Sequence, residues 1–225
     1  MPAGCLLCYI TDRTAFPGNE SERRARLLEK IAEAARAGID YIQLREKDLP
    51  TRELEIFARE ALSAIRESRR LTRDRSPLNP ALLINSRTEV AVAVGADGVH
   101  LRSDDVTPSD VRNIWDQCGG GALVREPVIG VSCHTPEEVS RAEQNGSNFA
   151  VFAPVFEKQN APGHPPTGLA QLREACRAKI PIFALGGVTL ANARLCLEAG
   201  ASGIAGIRLF QANNIAEAIR QLGSR

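Results

Sequence analysis

Neither sign of charge dominates this sequence. Its 225 residues carry 28 Lys and Arg against 27 Asp and Glu, a formal net charge of +1. The basic stripe expected of a nucleic-acid binder is missing, and so is the acidic excess of a disordered chain. Long apolar runs are missing too: none approaches the roughly 18 residues of a membrane span. The opening MPAGCLLCYITD places no basic segment before its short apolar run, so no secretory signal is expected. Paired metal-ligand spacing is also lacking among the six cysteines, Cys5, Cys8, Cys118, Cys133, Cys176 and Cys196. Cys5 and Cys8 form a C-x-x-C, but it lies in an apolar, strand-like run and has no matching second pair. The thiols are expected to be buried or inert, in a reducing, cytoplasmic compartment.

The composition, 44% hydrophobic and 24% charged, is ordinary for a globular chain, and the length allows one large α/β domain or two small ones. Short apolar runs alternate with amphipathic stretches. The runs are 6–11, 39–44, 81–84, 97–101, 127–131, 148–152, 180–185 and 201–206. The helical stretches between and after them are 21–37, 51–70, 88–94, 108–117, 136–145, 168–178, 189–198 and 213–222. Ser21, Thr51 with Glu53, and Thr135-Pro136-Glu137-Glu138 supply start signals, and Gly38, Gly95, Gly146 and Gly200 supply stops. Three stops lead into similar phrases, AGIDYIQL, VGADGVHL and AGASGIAG. Continuous apolar runs suit buried parallel strands, and eight β-α units of about 28 residues suit a closed (β/α)8 barrel occupying residues 1–225 as one domain. A doubly wound open sheet is the rival, but ITDRTAFPG after the first run lacks its G-x-G-x-x-G turn. The polar stretches 69–80 and 117–127 read as connectors.

In such a barrel, chemistry sits at the carboxyl ends of the strands. Those ends carry Thr11-Asp12-Arg13, then Gln43 with Arg45-Glu46-Lys47-Asp48, then Asn85-Ser86-Arg87, then His100 with Arg102-Ser103-Asp104-Asp105. Ser132-Cys133-His134, Glu157-Lys158, Gly186-Gly187 and Ile207-Arg208 follow. Arg45 and Lys47 point the same way in an extended chain and suit a phosphate; a solvated turn neutralised by Glu46 and Asp48 is the alternative. The glycines of ALGGV, with a helix opening at Thr189, and of GIAGI let backbone N–H groups approach a phosphate. Tight strand–helix packing explains them equally simply. Asp104-Asp105 suits Mg²⁺ or a helix N-cap. His100 and His134 suit ligand contact, proton transfer or a structural role, and His164 is expected in a solvated loop.

YITD (9–12), QLREK (43–47), INSR (84–87), ADGVHL (96–101), GVSCHT (130–135), APVF (153–156), ALGGV (184–188) and SGIAGI (202–207) together resemble the thiamine phosphate synthase/TenI superfamily along essentially the whole chain. The resemblance implies a transferase of thiamine biosynthesis that joins hydroxymethylpyrimidine diphosphate to thiazole phosphate and releases pyrophosphate through a pyrimidine-stabilised cation. Its partners would be those small molecules, with neither nucleic acid nor membrane, and the oligomeric state stays open, a homo-oligomer included. Position by position, Gln43 would contact the pyrimidine and Arg45, Lys47 and Asn85 the diphosphate. Asp105 would hold Mg²⁺, Ser132 and His100 would line the site, and Gly186, Gly187, Ile207 and Arg208 would hold the thiazole phosphate. The chain departs from the synthase pattern at Ser86, where an Asp is expected, and after the sixth strand, where Glu157-Lys158-Gln159-Asn160 replaces a Thr-x-Thr-Lys run. Lys158 is a substrate-binding candidate there. The TenI branch implies two alternatives: a thiazole tautomerase with His134 as acid/base and no metal, or a non-catalytic binder of thiazole or thiamine phosphate.

Overall fold

The structure, a computed structural model, describes residues 4–71, 80–118, 125–157 and 165–223. Eight parallel strands close in sequence order, each hydrogen-bonded to the next and the last to the first. They are β1 (Leu6–Ile10), β2 (Tyr41–Leu44), β3 (Ala81–Asn85), β4 (Gly98–Leu101), β5 (Val128–Cys133), β6 (Phe149–Phe152), β7 (Ile182–Ala184) and β8 (Gly203–Gly206). The helices are α1 (Glu20–Ala37), α2 (Thr51–Leu71), α3 (Thr88–Val94), α4 (Pro108–Cys118), α5 (Pro136–Gln144), α6 (Gly168–Ala175), α7 (Ala193–Glu198), α8 (Arg208–Gln211) and α9 (Ile215–Leu222). The fold is the expected (β/α)8 barrel. No helix among the described residues is long and apolar enough to cross a membrane.

Three departures from the sequence reading stand out among the helices. Asn19, not Ser21, caps α1: its side chain accepts from Glu22 N, and the Glu22 carboxylate accepts from Asn19 N in a reciprocal capping box. α7 opens at Ala193 rather than Thr189, because the Asn192 carboxamide takes up Thr189 N and Gly187 O and holds the intervening residues as a turn. The last unit carries an unforeseen short helix, α8, ahead of α9. Thr135 caps α5 as expected, and the four stop glycines all have positive φ.

Alternation along the strands sorts their side chains. Ile42, Leu44, Val99, Leu101, Val131 and Phe152 face outward into one large core shared with the helices. Cys8, Ile10, Leu83, Phe149, Val151, Phe183 and Ala205 face the barrel interior. Tyr41, Phe149 and Phe183 plug it with ring centroids 4.9, 5.8 and 5.1 Å apart. A Cβ on Gly130 would lie 2.3 Å from the Phe149 ring, so that strand carries glycine where the plug passes. By the same parity Gln43, Asn85, His100 and Ser132 point inward above the plug, at the carboxyl ends.

The recurring phrases have a mechanical reason. Asp40 accepts from Leu7 N, Asp97 from Leu82 N, and Asn148 from Ile129 N, each at 2.8 Å. The polar residue before each of β2, β4 and β6 thus clamps the first amides of the preceding strand. Ser202, ahead of β8, pairs through its backbone instead, its N donating to Ile182 O and its O accepting from Leu6 N. We expect Asp97→Ala to destabilise the fold by about 1–3 kcal/mol, the cost of an unpaired buried amide. Ser202→Ala should stay within about 0.5 kcal/mol. Urea midpoints at constant m-value measure both, and equal effects would contradict the clamp.

Burial of the thiols holds for three of the six, while Cys5 and Cys176 are half-buried. Cys8, Cys133 and Cys196 are buried, with burial the main reason each thiol is pushed up to about 12; Cys118 is exposed.

Candidate active site

The charged run after β2 resolves into two pairs with different fates. Glu46 is buried: its Oε1 accepts from Thr11 Oγ1 at 2.6 Å, and its Oε2 accepts from Arg13 N and Arg13 Nη1, both at 3.1 Å. Asp48 takes Arg13 Nη1 and Nη2 at 2.7 and 2.6 Å, and this pairing holds its carboxyl below the usual range. The solvated, self-neutralised turn is therefore not formed, since both acids belong to Arg13. Arg45 and Lys47 have no carboxylate partner among the described residues. The chain turns at Lys47, so the two cations are near one another without being an extended pair. Arg45 first, then partial burial and Arg102, hold the Lys47 ammonium below its ordinary value. Such repulsion marks a place where an anion is welcome.

Arg45 lines a cavity of about 930 Å³ together with Gly186, Gly187, Ile207 and Arg208. That volume is in the usual range for small-molecule sites. Gly186 and Gly187 have φ of +92° and +65°. A Cβ on Gly186 would lie 2.6 Å from Pro154 Cα, and one on Gly187 would lie 2.6 Å from Glu157 O. The packing explanation of the pair thus holds, and the pair lines the cavity as well. The N–H groups of Gly187, Val188, Ile207 and Arg208 donate to no acceptor among the described residues, as fits a helix N-terminus and a turn facing a ligand space.

The inner rim is polar from β2 to β5. Gln43 Nε2 donates to Asn85 Oδ1 at 2.8 Å, and Asn85 Nδ2 to Ser86 Oγ at 3.1 Å. His100 Nε2 lies 2.9 Å from Ser132 Oγ. Burial, with Arg45 adding to it and Asp105 opposing, pushes the His100 imidazole down to about 4, so it is neutral at pH 7. Gln43 Oε1 and His100 Nδ1 are buried without a hydrogen-bond partner among the described residues, and neither residue lines the cavity. Ser86 sits at φ +61°, a left-handed conformation that Asp and Asn tolerate best.

Two other candidates, Asp105 and His134, do not line that cavity. Asp105 Oδ2 accepts from Arg102 N at 2.7 Å, and Thr107, not Asp104 or Asp105, caps α4 by accepting from Asp110 N. Asp105 and Ser132 line a smaller cavity of about 100 Å³. Among the described residues no three His, Cys, Asp or Glu side chains form a metal-ligand cluster. His134 is exposed and lines neither cavity; its Nδ1 donates to Ala153 O at 2.6 Å, which leaves Nε2 as the basic nitrogen. Lys158 and His164 lie outside the described residues. The sequence places Thr11 and Arg13 at the strand ends without a part in the site, and pairs Glu46 with the neighbouring cations; the structure pairs it with Thr11 and Arg13 instead. The available signal was that two acids beside two ligand-seeking cations need a base of their own.

Fold and site define a (β/α)8 barrel with a cationic, glycine-lined cavity at the carboxyl ends of its strands. The family model described as "Thiamine monophosphate synthase" matches residues 7–210, and the chain belongs to that family. The thiamine-phosphate synthase of Syntrophomonas wolfei is 34% identical over 227 residues, covering 97% of this chain and 96% of that protein. That of Methanoculleus marisnigri is 36% identical over 206 residues, covering 90% and 85%. The solved thiamine phosphate pyrophosphorylase of Pyrococcus furiosus superposes with a TM-score of 0.74 at 29% identity, covering 96% of this chain and 93% of that one.

Proposed function

We propose that this protein is a thiamine-phosphate synthase, a transferase that couples hydroxymethylpyrimidine diphosphate to thiazole phosphate and releases pyrophosphate. The observation that carries the reading is the shared cavity: the Arg45 guanidinium and the amides at Gly187 and Ile207, all without a protein partner among the described residues, line one space of about 930 Å³. Two anionic groups can be held there, one by side-chain charge and one by backbone donors. Membership of the family and the kinship with proteins named as synthases support it.

Each residue's part follows from its chemistry. Arg45 and Lys47 neutralise the diphosphate as it departs, which stabilises charge that grows in the transition state. The neutral rim of Gln43, Asn85, His100 and Ser132 offers donors and acceptors to the aminopyrimidine without a competing charge. The open amides hold the thiazole phosphate so that its ring nitrogen lies near the carbon that loses pyrophosphate. The donor set suits Mg²⁺ that arrives with the diphosphate: Asp105 is one carboxylate with a spare oxygen, and Ser86 is a neutral hydroxyl. Mg²⁺ held by Asp105 would add charge neutralisation at the leaving group. Small phosphorylated substrates and a cytoplasmic setting follow from the same reading.

Incubation with both substrates and Mg²⁺ should give thiamine phosphate and pyrophosphate in equal amounts. Ser86→Asp, which adds a second carboxylate at a position whose backbone suits Asp, should lower the Mg²⁺ needed for half-maximal rate by about tenfold. Proton exchange on the thiazole without coupling would instead establish the tautomerase, a reading weakened by the position of His134 outside the cavity.

A further inference from the structure

Arg13 is an arginine with 4% exposure at the rim of a barrel whose other rim cations, among the described residues, are half-buried or exposed. Among the described residues, its side-chain hydrogen bonds reach no residue that lines the cavity. Instead its guanidinium spans three acids: Nε donates to Glu20, Nη1 to Glu46 and Asp48, and Nη2 to Asp48. Its own N–H also donates to Glu46. Thr11 completes the frame, its hydroxyl donating to Glu46 and accepting from Arg45 N at 3.0 Å.

We infer that Arg13 is a positioning residue for diphosphate binding, drawing Glu46 and Asp48 away from Arg45 and Lys47 so that this cation pair stays free for the substrate. The inference rests on the synthase reading of the cavity. Four alternating charges on consecutive residues would otherwise pair with one another. Asp48 is the decisive acid: its side chain is 60% exposed and is tied down by Arg13 on both oxygens, so once released it is free to reach the cation beside it. Glu46 is held by Thr11 as well and stays where it is. The frame therefore selects charge, as well as fixing shape.

The test uses the full chain and two probes, inorganic pyrophosphate and thiazole phosphate, titrated by calorimetry. Arg13→Lys keeps the buried charge and loses the fork, and should weaken pyrophosphate binding about fivefold, the worth of one competing ion pair. Arg13→Gln should weaken it about tenfold or more. Thiazole phosphate affinity should stay within about twofold for both. Adding Asp48→Asn to either variant should restore most of the lost pyrophosphate affinity, which no general loosening of the loop would allow. Unchanged pyrophosphate binding in Arg13→Lys overturns the inference. So does a loss that Asp48→Asn fails to restore, or an equal loss for both probes. If the unmodified chain binds thiazole phosphate but not pyrophosphate, the synthase reading itself is wrong and the inference goes with it.

Discussion

Arg45→Ala is expected to lower thiamine phosphate formation by about 10²–10³-fold, the scale on which removal of one preorganised charge-stabilising group acts. The guanidinium lines the cavity with no carboxylate against it among the described residues, and its backbone N is fixed by Thr11. Its attraction to the leaving group grows as the bond to pyrophosphate breaks, so kcat and kcat/KM should fall together. Arg45→Lys keeps a charge without the planar fork and should lose about tenfold. His134→Ala should stay within about tenfold of the unmodified enzyme, because an exposed imidazole outside the cavity has no proton to move in a dissociative displacement. Steady-state assays with each substrate varied in turn give the ranking. A larger loss from His134→Ala than from Arg45→Ala would make the protein an isomerase.

The barrel was legible because its evidence is repetitive. Eight apolar runs, each followed by a helical period and several closed by glycine, fit few other folds; six of the eight strands fall inside the expected runs, and β3 and β5 continue past theirs to Asn85 and Cys133. The site was legible by ordinal position: strand seven's Gly186-Gly187 and strand two's Arg45 needed only a closed barrel to meet. What escaped depended on side chains choosing among several partners. Asn192 halts α7 by bonding back to residue 189, and a helix starting at Thr189 suits the local sequence equally well. The run Arg45-Glu46-Lys47-Asp48 shows acids and bases in equal number, and nothing in it says that a buried Arg13 takes both acids. Ser86 is the subtler case. Its sequence signal is an absent carboxylate, whereas the structure adds that its backbone keeps the left-handed conformation an Asp would favour.

Gly187→Ala should raise the KM for thiazole phosphate by about 100-fold, equivalent to about 2.7 kcal/mol, and leave the KM for the pyrimidine diphosphate within about threefold. Two costs combine. At φ +65° any side chain is strained, by about 1–3 kcal/mol at such sites. The new methyl would also lie 2.6 Å from Glu157 O and 2.7 Å from Phe156 Cβ, and main chain cannot swing aside as a lysine tip would. Relief requires moving 155–157, which is bonded to the glycine loop through Val155 N to Leu185 O and Phe156 N to Gly186 O, both at 2.9 Å. The amides facing the cavity move with it. Gly95→Ala separates the two costs: its φ of +66° is nearly identical, but a Cβ there meets nothing within 4 Å. That variant should lose about 1 kcal/mol of stability and keep both KM values. If Gly187→Ala behaves the same way, backbone strain alone explains the glycine, and residue 187 takes no part in holding the phosphate.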